Sequence, residues 1–217
     1  MAIFGAEIEK QKHPSARWLS WKSSQKSFEV YNKEAQVAEP VKLEEEMIMI
    51  AEMNAVGGYV DSLGTGVRSN EIDSFSEPFA IMSNKGTVWK KGLWKDIKEE
   101  VKSAGAKLFK NIHFTTPTSL EMETLTFSGA GVSAWLEGMK NRTISPATHR
   151  IKLKEVIKAK KGAVVYTYPV FENGSPLTED DKKLQKMFGQ KFAEYRESVQ
   201  ATTDDLTKPD DLNEPPF

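Results

Sequence analysis

Apolar and polar residues alternate along much of this chain, and glycine, proline or clustered charge marks where the alternation stops. Residues 1–24 are polar apart from Trp18 and Trp21 and read as an irregular arm. Phe28, Val30 and Tyr31 predict a strand over residues 26–32. Val37, Val41 and Leu43 alternate across residues 36–43, a weaker strand that Pro40 confines to a sheet edge, because proline cannot donate to a ladder. Met47 to Val60 is the longest apolar run, with Gly57-Gly58 reading as a bend or bulge near its end. Gly64 and Gly66 bound a turn, and residues 79–83 predict a strand before the turn Asn84-Lys85-Gly86.

The period then changes. Leu93, Trp94, Ile97, Val101 and Ala104 recur at helical spacing, and Gly105 sits where the helix would stop. Val132, Trp135, Leu136 and Met139 predict a second, shorter helix. Trp94 and Trp135 lie on these apolar stripes and are expected in the core. Two strands are predicted between the helices, at 107–115 and 120–127. Two more follow at 149–157 and 163–171, split by the hairpin turn Lys160-Lys161-Gly162. Residues 180–199 are charged and amphipathic, with Leu184, Met187, Phe188, Phe192 and Tyr195 on one stripe of a closing helix. Six to eight strands with few helices predict a mostly β, α+β chain, not a doubly wound sheet. An elaborated OB-fold-like barrel is the expected architecture, with a β-sandwich as the alternative.

Composition narrows the class. A chain of 217 residues suggests one elaborated domain, and 39% apolar with 10% aromatic residues can fill a core. The absence of cysteine excludes disulfides, thiolate chemistry and a cysteine zinc site, and fits a reducing cytosol. Residues 1–5 lead at once into Glu7, Glu9, Lys10 and Lys12, so no signal peptide is expected; nor is a membrane span, and a cytoplasmic location is. The sequons at Asn141 and Asn173 are then chance matches. The net charge of −1 hides an asymmetry: residues 201–217 carry Asp204, Asp205, Asp210, Asp211 and Glu214 against Lys208, a net −4. Residues 1–200 keep 29 basic against 26 acidic side chains, a net +3. A basic body with an acidic tail is a charge split found in nucleic-acid binders, and also in unrelated proteins with solubilising tails.

The tail, ATTDDLTKPDDLNEPPF, cannot bury enough apolar area to offset its chain entropy and is expected to be disordered from residue 201. Its distinguishing feature is Phe217, a ring and an α-carboxylate together, which an apolar pocket rimmed by cations could capture. The segment Asp210-Asp211-Leu212-Asn213-Glu214-Pro215-Pro216-Phe217 resembles the acidic tip of bacterial and bacteriophage single-stranded DNA-binding proteins. The body does not match the compact bacterial type, and its length and extra helices look more like a bacteriophage-type protein. The resemblance implies sequence-independent binding and protection of single-stranded DNA in replication, recombination and repair, inside a bacterial host cell, on a domain spanning 1–200. It also implies a docking tail, with Asp210, Asp211, Glu214, Pro216 and Phe217 recruiting polymerase, helicase, primase or recombination partners and competing with DNA. A homo-oligomer is compatible with it; an enzymatic activity, a cofactor or a membrane partner is not expected.

Binding single strands without reading sequence requires cations along the phosphate path and aromatic faces for the bases. Trp89-Lys90-Lys91, on an expected loop beside Lys85 and Gly86, meets both needs, unless Trp89 is core. Lys107 and Phe109 share a strand face with Asn111 and His113, either a stacking platform or a face packed under a helix. Arg150, Lys152 and Lys154 alternate with Ile151 and Leu153, as a phosphate track or a solvated stripe. Trp18, Trp21 and Lys22, near Arg17 and Lys26, form a fourth candidate; Tyr166 and Tyr168 share a face that is either core or platform.

Other chemistry finds little support. Gly129-Ala130-Gly131-Val132-Ser133-Ala134 fits the loose dinucleotide fingerprint, but no strand ending in an acid follows about twenty residues on, and a tight strand-to-helix turn is the plainer meaning. There is no Walker loop, and His13, His113 and His149 are scattered without ligand spacing, so no metal site is expected. Glu44-Glu45-Glu46 and Glu121/Glu123 leave a metal-dependent nuclease as the alternative, beside a recombination or structural protein of phage DNA metabolism.

Overall fold

Sheet pairing begins inside the segment expected to be an irregular arm. In the computed structural model, which describes residues 12–32, 35–119 and 121–206 (backbone only for 200–206), Ser15–Lys22 is a strand, β1. Its alternation explains why: Leu19 is fully buried and Trp21 half-buried, while Trp18, Ser20 and Lys22 are exposed. The strands that follow are β2 (Ser27–Asn32), β3 (Val37–Val41), β4 (Ile48–Val60), β5 (Thr65–Ser69), β6 (Phe79–Ser83) and β7 (Val88–Gly92). After α1 (Trp94–Ser103) come β8 (Lys107–Thr115) and β9 (Met122–Ser128). Then α2 (Ala130–Lys140) leads to β10 (His149–Lys161), β11 (Val164–Pro176) and α3 (Glu179–Leu206).

Nine strands form one sheet in the order β3-β2-β1-β9-β8-β4-β5-β6-β7, and β10 and β11 form a separate hairpin. The sheet is mixed, because β1 runs parallel to β9 while every other pair is antiparallel. The expected OB-like barrel does not form: β3 and β7 remain as open edges, and Pro40 lies in β3 as edge placement requires. A second correction concerns Trp89-Lys90-Lys91, expected on a loop and found in edge strand β7. The third is α3, whose backbone continues to Leu206, into the segment expected to be disordered from 201; residues 207–217 lie outside the described residues. A fourth is β5, which includes Gly66 and runs through a segment read only as a turn; the remaining strands, α1 and α2 fall where the hydrophobic pattern predicts them. Gly105, at φ 94°, ends α1 in a left-handed conformation that suits glycine.

The two sheet faces have different fates. On the inner face, Leu19, Phe28, Met49, Ile112, Phe114, Leu125 and Phe127 pack with Trp135 of α2 and with Ile151 and Phe171 of the hairpin. Further along the same face, Val56, Val67, Phe79 and Ile81 pack with Ile97 and Val101 of α1. Glu52 stands between these clusters, accepting from Lys110 Nζ at 2.6 Å and from Trp135 Nε1 at 2.9 Å. On the outer face, Met53 and Met122 pack under Phe188 and Phe192 of α3. Thr178 caps α3: its hydroxyl accepts from Asp181 N–H, and the Asp181 carboxylate accepts from Thr178 N–H. None of the described helices is long and apolar enough to cross a membrane.

Trp135 joins α2, the hairpin and the half-buried Glu52. Trp135→Ala is therefore expected to cost about 3–5 kcal/mol, read as a lower urea midpoint at unchanged denaturant slope.

Candidate nucleic-acid interface

Strand parity sorts every side chain of the large sheet onto one face or the other. On the inner side Leu19, Trp21, Phe28 and Ile112 enter the core, so the outer face carries Trp18, Ser20 and Lys22 of β1 and Glu29 and Tyr31 of β2. The pairs Ser128 with Phe109, Phe109 with Ala55, Lys107 with Gly57, and Gly57 with Arg68 continue that face across β9, β8, β4 and β5. Tyr59, two residues beyond Gly57, and Lys91, paired with Ala80, lie on it too.

Helix α3 covers only part of this surface. Phe192 lies over His113, with ring centroids 4.4 Å apart, and Tyr195 reaches the neighbourhood of Glu71 and Arg68. Burial, then the Glu71 charge, pushes the Tyr195 hydroxyl pKa upward, and Arg68 opposes the rise. Beyond α3 the face is open. Four large aromatic side chains are exposed among the described residues, Trp18, Tyr31, Tyr59 and Phe75, and the first three share this face. The register that sets Leu19 opposite Val30 brings Tyr31 alongside Trp18. Every exposed charge that the paired strands place on the outer face is a cation: Lys22, Arg68, Lys91 and Lys107. Glu29, on the same face, is 4% exposed. Strand spacing and rise put Trp18 and Tyr59 roughly 30 Å apart on a twisted diagonal, with Phe109 between them.

The predicted DNA-binding residues divide accordingly. Trp18, Lys22, Lys107, Phe109 and Lys91 come together on the outer face. Trp21 does not: its ring packs edge-on against Phe28 at 5.1 Å and its Nε1 donates to the Thr167 carbonyl at 2.9 Å, fastening the hairpin to the sheet. Trp89 is half-buried against the α1 cluster, and Lys90 Nζ donates to Glu100 of α1 at 2.6 Å. Arg150 is held by Asp181 through two hydrogen bonds of 2.9 and 3.1 Å, and Lys152 lies 3.4 Å from Glu172. Lys154 is exposed on the hairpin, away from the aromatic face. Asp210, Asp211, Glu214, Pro216 and Phe217 lie outside the described residues. Sequence reasoning missed Tyr31, Tyr59 and Arg68; only the first is visible as a strand aromatic, and none shows its face without the pairing.

Three of the five carboxylates weighed for a nuclease have partners of their own. Arg17 binds Glu123, Thr118 donates to Glu45 at 2.7 and 2.8 Å, and Glu46 accepts from Ser175 N–H at 3.0 Å. The Gly129 motif is a strand-to-helix turn, with Gly129 at φ 58° as the residue before α2.

Burial opposes ionisation of Asp181, but hydrogen bonds from Arg150 and Thr178 outweigh it and hold the carboxyl below the usual carboxylate range. Arg150→Ala should therefore lower folding stability by about 1.5–3 kcal/mol, the usual range for hydrogen bonds to charged groups. A depressed folded-state pKa gives stability that is present above the unfolded value, about 3.9, and lost as pH falls through the folded value. The gap between wild type and Arg150→Ala, read by denaturation at several pH values, should be full near neutrality and close in acid.

Comparison of the chain with known protein families, with characterised proteins and with solved structures finds no match.

Proposed function

We propose that this protein binds single-stranded DNA without reading its sequence, using the open outer face of the large sheet. One observation carries the reading: three of the four aromatics exposed among the described residues share a face whose exposed strand charges are all cations. Trp18, Tyr31, Phe109 and Tyr59 offer rings to unstacked bases, and each stacked base contributes about 1–3 kcal/mol. Lys22, Arg68, Lys91 and Lys107 follow the phosphates, which makes affinity fall with salt. Duplex DNA hides its base faces and gains little from such rings. The acidic tail supports the same reading, because α3, which leads to it, lies across this face. Asp204 and Asp205 close α3, and with Asp210, Asp211 and Glu214 they compete with phosphate for the cations at low salt, while Phe217 anchors a replication or recombination partner.

Anisotropy titration with labelled oligothymidylate at two salt concentrations tests the proposal. Trp18→Ala and Tyr59→Ala should each weaken binding by about 1–3 kcal/mol with little change in salt slope. Lys107→Ala should lower that slope by up to about 0.7. Lys90→Ala and Lys152→Ala, whose cations face carboxylates, should leave both quantities nearly unchanged. Removing residues 207–217 should tighten binding at low salt and abolish partner capture. Equal or tighter binding to duplex of the same length, or full affinity after both aromatic substitutions, would sink the proposal.

A further inference from the structure

Beneath α3 the fold brings together three side chains that are far apart in the chain. His13 precedes β1, Glu71 lies between β5 and β6, and His113 is on β8. One ligand atom from each lies within 4.8 Å of the other two. His13 Nε2 is 3.4 Å from Glu71 Oε2, and His113 Nε2 is 3.2 Å from Glu71 Oε1. His113 is fully buried, and its Nε2 has no hydrogen-bond partner even though the carboxylate is so near. We propose that His13, Glu71 and His113 form a binding site for a divalent transition-metal ion, Zn²⁺ above all.

Geometry and donor chemistry agree. Ligand bonds of about 2.0–2.2 Å to zinc set neighbouring tetrahedral donors roughly 3.3–3.5 Å apart, close to the two nitrogen–oxygen separations here. Two imidazoles with one carboxylate are a borderline donor set that suits zinc over magnesium or calcium. Three protein ligands leave the fourth position to water. The surrounding hydrogen bonds orient the donors: His113 Nδ1 is 2.8 Å from Thr124 Oγ1, which also contacts the Ser15 hydroxyl, and Asn111 Nδ2 donates to Glu71 Oε1 at 2.6 Å. Phe192, Tyr195 and Trp18 ring the cluster and limit its access to water. Only His13 must rearrange. Its Nδ1 accepts from Ser15 N–H at 3.0 Å, and a metal on Nε2 requires the proton on Nδ1, so this contact opens on loading. The metal's role is structural: it clasps the segment before β1 to β8 and to the β5–β6 connection.

The full chain, dialysed against chelator, is titrated with Co²⁺, whose visible absorption reports coordination, and then with Zn²⁺ as competitor. One equivalent of Co²⁺ should bind and be displaced by Zn²⁺, and the melting temperature should rise with free Zn²⁺. His13→Ala and His113→Ala should lose that equivalent, while His149→Ala, outside the cluster, keeps it. Thr124→Val should weaken Co²⁺ binding about 10–100-fold. Should His113→Ala fail to fold, the half-buried His13 carries the test. No stoichiometric Co²⁺ uptake by the wild type, or undiminished uptake by His13→Ala, overturns the site. Neither result decides the DNA-binding proposal, which shares only Trp18 with the surroundings of the cluster and is read by oligothymidylate affinity.

Discussion

Ile112 and Phe114 of β8 turn to one side of the sheet, and Asn111 and His113 to the other. That two-residue alternation, at the centre of nine strands, is the constraint on which the rest of the molecule depends. Ile112 and Phe114 have to be removed from water, and fully burying side chains of this size is worth about 1.5–3 kcal/mol each. The cover comes from α1, α2 and the β10–β11 hairpin, all packed on the inner face. One polar exception, Lys110, is tolerated there because Glu52 accepts its charge and Trp135 satisfies the second carboxylate oxygen.

With three elements committed to one side, only α3 remains for the other. Its apolar stripe is short, with Phe188 and Phe192 fully packed, so it covers the end of the face near Met53 and Met122 and leaves the opposite end open. The open part keeps exposed rings and cations, the covered part holds a His–Glu–His cluster out of bulk water, and Trp18 stands at the boundary, against His13 and His113. Both proposals thus follow from one geometric fact. A helix lying on half of a wide sheet face leaves a wet half suited to a polyanion and makes a drier half suited to an ion.

The wide sheet also accounts for the cations that do not gather on that face. Arg150 and Lys90 looked like phosphate ligands along the chain, yet each is spent holding a helix, Arg150 through Asp181 of α3 and Lys90 through Glu100 of α1. A stripe of lysine and arginine on a strand says that the strand has a polar side. It does not say whether a carboxylate from a later element arrives to neutralise it.

Local pattern in the sequence determined most element positions: α1 and α2, the β8 and β9 strands, the hairpin, and the edge placement of Pro40. These depend on period, on glycine at left-handed positions and on the proline nitrogen, which are properties of neighbouring residues. It also determined that Trp135 would be core and that Lys107 and Phe109 would share a face. The tertiary structure alone decided that the sheet stays open, since barrel closure depends on which edges meet. It decided as well that Trp18 points outward while Trp21 pins the hairpin, because the arm acquires faces only when β9 pairs with it in parallel. Tyr59 and Arg68 joined the open face through pairing across β4 and β5, and His13, Glu71 and His113 met although no spacing links them. Such gatherings are contacts between residues distant in the chain, and a one-dimensional pattern carries no record of which strands become neighbours.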